Sequence, residues 1–250
     1  LQLLKKCASR WSKEQYFAAF NRVQEYIKAG DCYQINLTQE FKATAQGTLL
    51  SKAEQLWQLT HAPYAGYLKL DDFELLSCSP ELFIEFQHER KIKTRPIKGT
   101  MPRFDDPKQD QASKAKLSNS EKDQAENVMI VDLLRNDLSV YAETGSVKTT
   151  KLFEIESFNQ VHHMVSEITA ILKQDINPMQ MLLSALPGGS ITGAPKIRAM
   201  QIIEELEGAS RGAYCGSLGY FNFDGTGRWN ILIRSIQKYQ DQLSVLAGGG

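Results

Sequence analysis

Between Ser12 and Gly30 the chain reads SKEQYFAAFNRVQEYIKAG, with apolar residues at Phe17, Phe20, Val23 and Ile27. Steps of three and four put these on one face of an amphipathic helix. A capping box from Ser12 to Gln15 opens the helix and Gly30 closes it. In CYQINLTQEF the period drops to two: Tyr33, Ile35 and Leu37 face one way and Gln34, Asn36 and Thr38 the other, which predicts a strand. A second helix is expected from about Ser51. AGYLKL, FELLSCS, ELFIEFQ and KIKTRPI then follow with short turns, the pattern of an antiparallel meander. Residues from about 110 to 138 read as one long helix, polar at first and apolar in NVMIVDLL. SVKTTKLFEI and VHHMVSEITAIL return to strand. NPMQMLLSAL and APKIRAMQIIEELEG are helices, the second with Pro195 near its first turn and Gly208 past its end. YCGSLGYFNF, RWNILIRSI and QLSVLAGG are again β. Strands that follow one another without crossover helices predict an α+β fold with antiparallel sheet, not a doubly wound parallel one. No repeat or low-complexity linker interrupts the pattern, so one domain over residues 1–250 is expected.

Composition narrows the chemistry. A chain of 250 residues that is 42% hydrophobic can bury roughly 70% or more of its unfolded surface. Lys and Arg number 29, as do Asp and Glu, so no basic field draws in nucleic acid and there is no acidic tail. Cys7, Cys32, Cys78 and Cys215 lie far apart without a CxxC pair, which fits neither a disulfide framework nor a zinc site and suits a reducing compartment. The opening LQLLKKCASRWSKEQ is too short and mixed for a signal peptide, and no apolar run approaches the ~18 residues of a membrane span. A soluble cytoplasmic protein with no nucleic-acid or membrane partner is expected.

Five features hold chemistry-bearing residues. In KTRPIKGTMPR, alternation separates Lys98 from the cationic row Lys91, Lys93 and Arg95. Pro96 cannot donate to a ladder and Gly99 allows unusual backbone angles, so Lys98 is expected where the strand stops pairing. In LPGGSITGAPKIRAMQ, Gly188, Gly189 and Gly193 with Ser190 and Thr192 stand just before a helix. Such a loop is either an anion cradle or a tight turn with a helix cap. It is not a Walker A loop, because Ala194 and Pro195 separate the last glycine from Lys196. Asp123 and Glu126 lie one helical turn apart, the spacing of a magnesium-binding carboxylate or of an ordinary solvated helix end. His162 and His163 have opposite parity in an apolar strand, so one points to each side, as a core histidine or a proton carrier. Arg234 is a charge inside the apolar ILIRSI, where burial would require an anionic partner such as a ligand carboxylate. Tyr214 heads the preceding strand.

Taken together, GDCYQINLTQEF, SPELF, TRPIKGT, AENVMIVDLLRNDL, HHMVS, PGGSITGAPKIRAMQIIEELE, YCGSLGYF and AGGG resemble the chorismate-utilising enzymes, in order and over nearly the whole chain. Within that family the chain is most similar to component I of the aminodeoxychorismate synthases. The resemblance implies a sandwich of two antiparallel sheets flanked by helices, with the active site between the sheets. It also implies chorismate as substrate, a magnesium ion bridging the ring carboxylate to protein, and ammonia delivered by a glutamine amidotransferase subunit.

The residue at position 98 separates the activities of the family. Anthranilate synthases resemble the chain here but read RPIAGT, whereas PIKGT is the aminodeoxychorismate synthase form. The isochorismate and salicylate synthases, which add water, carry a general-base lysine where this chain has Gln34. The resemblance thus implies that Lys98 attacks C2 of the ring as the 4-hydroxyl leaves. Ammonia then enters at C4 and expels the lysine, giving 4-amino-4-deoxychorismate with its enolpyruvyl group retained. A lysine with a pKa of ~10.4 is neutral near pH 7 only at a cost of roughly 4 to 5 kcal/mol unless desolvation lowers that pKa. By the same resemblance Arg234 and Tyr214 hold the enolpyruvyl carboxylate with N–H groups near Gly248 and Gly250. Glu126 holds the magnesium, Glu81 protonates the departing hydroxyl, His163 is the active-site histidine, and Thr192 with Gly193 lines the pocket.

The chain stops at AGGG, where the family continues into an acidic C-terminal helix that supplies a second magnesium glutamate, and the family's N-terminal region is also missing. This segment alone is expected to bind magnesium poorly and to be inactive. Two rival readings are anthranilate synthase component I and a non-catalytic domain that binds an anionic metabolite at GGSITGAPK.

Overall fold

The computed structural model describes residues 1–249, and the chain divides into two compact units. The first comprises Leu1–Pro80, Pro187–Leu218 and the segment from Ile231 on; the second comprises Glu81–Leu186 and Gly219–Asn230. Each is built on one seven-stranded antiparallel sheet. With six α-helices among the described residues, this is the expected α+β class.

In the first unit the sheet order is Gln2–Leu3, Leu37–Gln46, Gln242–Gly249, Ser235–Tyr239, Phe73–Ser79 and Tyr64–Lys69, with Ala8–Ser9 also paired to Leu37–Gln46. The longest register runs from Leu37 opposite Gly249 to Thr44 opposite Gln242. The helix Lys13–Ala29 begins with both halves of the capping box, Ser12 Oγ accepting from Gln15 N and Gln15 Oε1 from Ser12 N. It ends at Gly30 with φ 80°, the left-handed position that suits glycine. Its buried stripe differs from the expected one. Tyr16, Ala19, Val23, Tyr26 and Ile27 pack with Cys32, Ile35, Leu37, Ala199, Ile202 and Ile203, while Phe17 and Phe20 are 50% and 41% exposed. The two tyrosines bury their ring bodies, which rotates the stripe away from the phenylalanines.

In the second unit the order is Lys148–Ser157, Val161–Ile171, Lys91–Arg95, Leu82–Phe86, Gly227–Asn230 and Gly219–Phe221, with Ile97–Pro102 also paired to Val161–Ile171. The helix Glu121–Ser139 buries Asn127, Ile130, Val131, Leu134 and Leu138 at steps of three and four.

Three expectations need correction. The four-strand meander is two hairpins in different sheets, because the chain passes from the first unit to the second between Pro80 and Glu81. The long helix is two helices, Pro107–Ser118 and Glu121–Ser139: Ser120 Oγ accepts from Asp123 N and starts the second one. RWNILIRSI splits into Gly227–Asn230 and Ser235–Tyr239, which belong to the two different sheets. No helix among the described residues is long and apolar enough to cross a membrane.

Candidate functional site

In the second unit, Lys98 lies on the strand Ile97–Pro102, one residue in from its start. It was expected where pairing stops; instead the ladder is interrupted at Pro96 and resumes, because Pro96 has no N–H and only its carbonyl is used, by Ser166 N at 3.2 Å. Parity separates Lys98 from the other cations, as expected. Lys91 pairs with Glu89 at 2.8 Å, Lys93 with Glu85 at 2.6 Å, and Arg95 with Glu156 and Glu167. Lys98 is half-buried and is in no ion pair among the described residues. Gly99, next to it, has φ 90°, and a Cβ there would lie 3.0 Å from Asp123 Cβ and from Leu117 Cδ1. The start of the Glu126 helix therefore packs directly on the backbone beside Lys98.

His163 is buried on the neighbouring strand, opposite Thr100, whose Oγ1 lies 2.8 Å from its Nδ1. Between Lys98 and Thr100 the ladder shifts register by one residue, at Gly99 with its φ of 90°. His162 points the other way, with Nδ1 2.8 Å from Ser157 Oγ and Nε2 3.0 Å from Asp110 Oδ1. The opposite-parity reading of the two histidines holds, and both are buried. Glu81 is buried at the first residue of the unit.

Glu126 sits one residue off the buried stripe of its helix, with 25% of its side chain exposed and Lys122 Nζ 3.7 Å away. Magnesium keeps several waters and takes one or two protein carboxylates plus ligand oxygens, and Glu126, with Asp123 one turn before it, meets that minimum. Among the described residues no three His, Cys, Asp or Glu side chains converge to hold a metal by themselves.

The first unit holds a group of unpartnered polar atoms that alternation alone had assigned to a polar strand face. Gln34, Asn36 and Thr38 are all buried, and Gln34 Oε1, Asn36 Nδ2 and Thr38 Oγ1 have no hydrogen-bond partner. An unmet buried polar atom costs roughly 1–3 kcal/mol, so these groups need a partner, and the Tyr214 hydroxyl beside Asn36 and Thr38 is the polar group close at hand. Gly248 lies opposite Thr38 in the sheet; a Cβ there would lie 2.6 Å from Thr38 Oγ1 and 3.1 Å from Asn36 Nδ2. Burial raises the pKa of the Tyr214 hydroxyl, and the nearby Asn36 and Thr38 side chains oppose that shift, so the phenol stays a donor at neutral pH. Gly250 falls outside the described residues.

Several first-unit expectations change. Tyr214 does not head a strand; it is buried in the turn between the helix Lys196–Glu207 and the strand Gly219–Phe221. Arg234 is not a buried charge in an apolar strand. It is exposed at φ 50° in the bend before Ser235–Tyr239, because the chain leaves the second unit's sheet at Asn230. The glycine loop does not run straight into a helix N-terminus. Gly189–Ile191 is a 3₁₀ turn whose Ile191 and Thr192 N–H groups bond back to Gly188 and Gly189, and Thr192 Oγ1 donates to Gly188 O at 3.1 Å. Gly193–Ala194 then pairs with Gln34–Ile35, and the Ala194–Pro195 peptide is cis. The Ile191 and Thr192 N–H groups and the Thr192 hydroxyl are thus used within the loop's own fold, as in the tight-turn reading, and Gly193 allows the close strand pairing beside Gln34.

The buried cysteines are inert by the same physics. Burial pushes the Cys215 thiol up to about 12, with Arg211 opposing by less. At pH 8 its thiolate fraction is on the order of 10⁻⁴. Ellman's reagent should therefore titrate one thiol rapidly in the folded chain, the exposed Cys7, and all four after denaturation.

The family model for chorismate binding enzymes matches residues 2–250. Over 242 residues the chain is 50% identical to aminodeoxychorismate synthase component 1 of Escherichia coli (strain K12), covering 97% of the chain and 53% of that protein. It is 49% identical over 239 residues to the protein of the same name from Klebsiella aerogenes, covering 96% and 53%. The chain thus spans about half the length of these relatives. The crystal structure of anthranilate synthase component I from Streptococcus pneumoniae TIGR4 superposes with a TM-score of 0.89 at 30% identity, over 100% of this chain and 55% of that one. The chain belongs to the chorismate binding enzyme family.

Proposed function

We propose that the chain is the chorismate-binding part of an aminodeoxychorismate synthase component 1, which converts chorismate and ammonia to 4-amino-4-deoxychorismate. The observation that carries this reading is Lys98: half-buried and outside every ion pair described, while the cations of the preceding strand, Lys91, Lys93 and Arg95, are all paired. An amine that no carboxylate holds is left to meet a substrate. The two relatives at 49% and 50% identity, both named for this activity, support the same choice.

In the second unit, Lys98 Nζ bonds to C2 of the ring, both ring double bonds shift (C1=C2 to C1=C6 and C5=C6 to C4=C5), and the C4–O bond breaks. Glu81 supplies the proton with which the hydroxyl departs as water. Ammonia then bonds to C4, both double bonds shift back, and the C2–N bond returns its electron pair to Lys98. His163, held by Thr100 on the neighbouring strand, would be available for proton transfer. Glu126 would hold magnesium together with the substrate's ring carboxylate; the ion would neutralise that carboxylate when bound. In the first unit, Tyr214, Arg234 and the main chain at Gly248 would bind the enolpyruvyl carboxylate, with Asn36 Nδ2 and Thr38 Oγ1 as further donors. Thr192 and Gly193 support that strand segment. A glutamine amidotransferase subunit would deliver the ammonia.

A product assay tests the reading. The intact polypeptide is incubated with chorismate, ammonium and magnesium, and the lyase that acts on aminodeoxychorismate is then added. The proposal expects 4-aminobenzoate to form only after that addition. Fluorescent anthranilate forming without the lyase would assign the chain to the anthranilate branch.

A further inference from the structure

We propose that Arg211 is a positioning residue, which together with Glu207 sets affinity for the substrate by fixing the main chain under the unpartnered Asn36 and Thr38 side chains. The inference rests on the proposed function and adds to it two residues that touch no reacting atom.

Glu207 is the last residue of its helix and Arg211 follows Gly208, whose left-handed φ of 56° turns the chain back. Glu207 is buried and Arg211 partly so, with side chains 4% and 13% exposed. The pair is bidentate: Arg211 Nε donates to Glu207 Oε2 at 2.8 Å and Nη2 to Oε1 at 2.6 Å. Its remaining capacity goes to main chain. Nη2 also donates to Asn36 O at 2.7 Å, Nη1 to Ile191 O at 3.3 Å, and Glu207 Oε1 accepts from Thr38 N at 2.9 Å. The guanidinium carbon lies 5.8 Å from the centre of the Tyr214 ring. One ion pair therefore ties the segment Asn36–Thr38, the turn before Thr192 and the ring of Tyr214.

A buried ion pair is a poor source of net stability, since its desolvation offsets most of the attraction. What it supplies here is geometry. With Asn36 O and Thr38 N both engaged, the backbone between them cannot rotate, so Asn36 Nδ2 and Thr38 Oγ1 stay beside Gly248 without partners of their own. Preorganised donors of this kind act on binding, because they need no reordering when the ligand arrives.

Arg211→Lys keeps the charge but removes the fork that reaches both carbonyls. Measured on the intact polypeptide with ammonium, it should raise KM for chorismate at least tenfold, with kcat within threefold and an unchanged pH profile. In Arg211→Ala, added guanidinium should restore KM towards the wild-type value. Glu207→Gln keeps an acceptor for Thr38 N and should raise KM by a smaller factor, about threefold; it carries the test alone if the Arg211 variants do not fold. An unchanged KM in these variants overturns the assignment, as does a loss of activity that tracks the melting temperature and ignores guanidinium. A wild type that does not convert chorismate overturns the functional reading and this assignment with it; an active wild type with normal Arg211 variants overturns this assignment alone.

Discussion

Lys98→Ala should lower chorismate turnover at least about 10³-fold, roughly 4 kcal/mol of transition-state stabilisation, while the dissociation constant of chorismate stays within about threefold. The asymmetry follows from the role. An amine that forms a bond only after the substrate is seated contributes to the barrier and little to ground-state binding. Lys98→Arg separates a nucleophile from a charge. Arginine keeps the cation but cannot lose its proton near neutral pH, so it should be as inactive as alanine. If Lys98 only neutralised a substrate carboxylate, arginine would retain most of the activity and alanine would weaken binding. The cations of the preceding strand are not placed to substitute, since Lys93 and Arg95 are held by Glu85, Glu156 and Glu167.

Gly193→Ala should cost about 4 kcal/mol of stability and lower the melting temperature by on the order of 10 °C. Two effects add. The residue has φ 149°, which side-chain-bearing residues rarely adopt, and its Cβ would lie 2.1 Å from Gln34 O and 2.9 Å from Ala199 Cβ. The first neighbour is main chain of the paired strand and cannot rotate aside, so the pairing of Gly193–Ala194 with Gln34–Ile35 must open. Gly225→Ala isolates the first effect: it has φ 83° but nothing within 4 Å of the added carbon. It should cost about 1 kcal/mol, and thermal unfolding of the two variants side by side measures the difference.

The fold class was legible because strand after strand carried period-two patterning without intervening helices, and both sheets are antiparallel as that pattern requires. What alternation could not tell is which sheet each strand joins. Nothing in FELLSCSPELFIEF marks the passage between units except Pro80, a residue that suits an ordinary turn equally well. His163 lies on the strand expected of it and Glu126 on the helical stretch expected of it, because their elements have strong periodicity, whereas Lys98, expected where a strand stops pairing, lies on a separate strand. Arg234 was misjudged because ILIRSI reads as one strand, whereas it is the link between two. Alternation placed Gln34, Asn36 and Thr38 on one strand face without saying what that face meets. Only three-dimensional packing buries it, and the sole local sign was an uninterrupted run of uncharged polar residues where a true solvent face would carry charge. Glu207 and Arg211 are four apart across a helix-ending glycine, a spacing that sequence alone gives no reason to single out.

The most direct measurement is intact-mass spectrometry of the intact polypeptide after chorismate is added without ammonia. The account predicts a population heavier by one chorismate less one water, mapped by proteolysis to Lys98 and absent from Lys98→Ala. A polypeptide that makes aminodeoxychorismate when ammonium is supplied but shows no adduct on Lys98 without it, or an adduct on another residue, would contradict it.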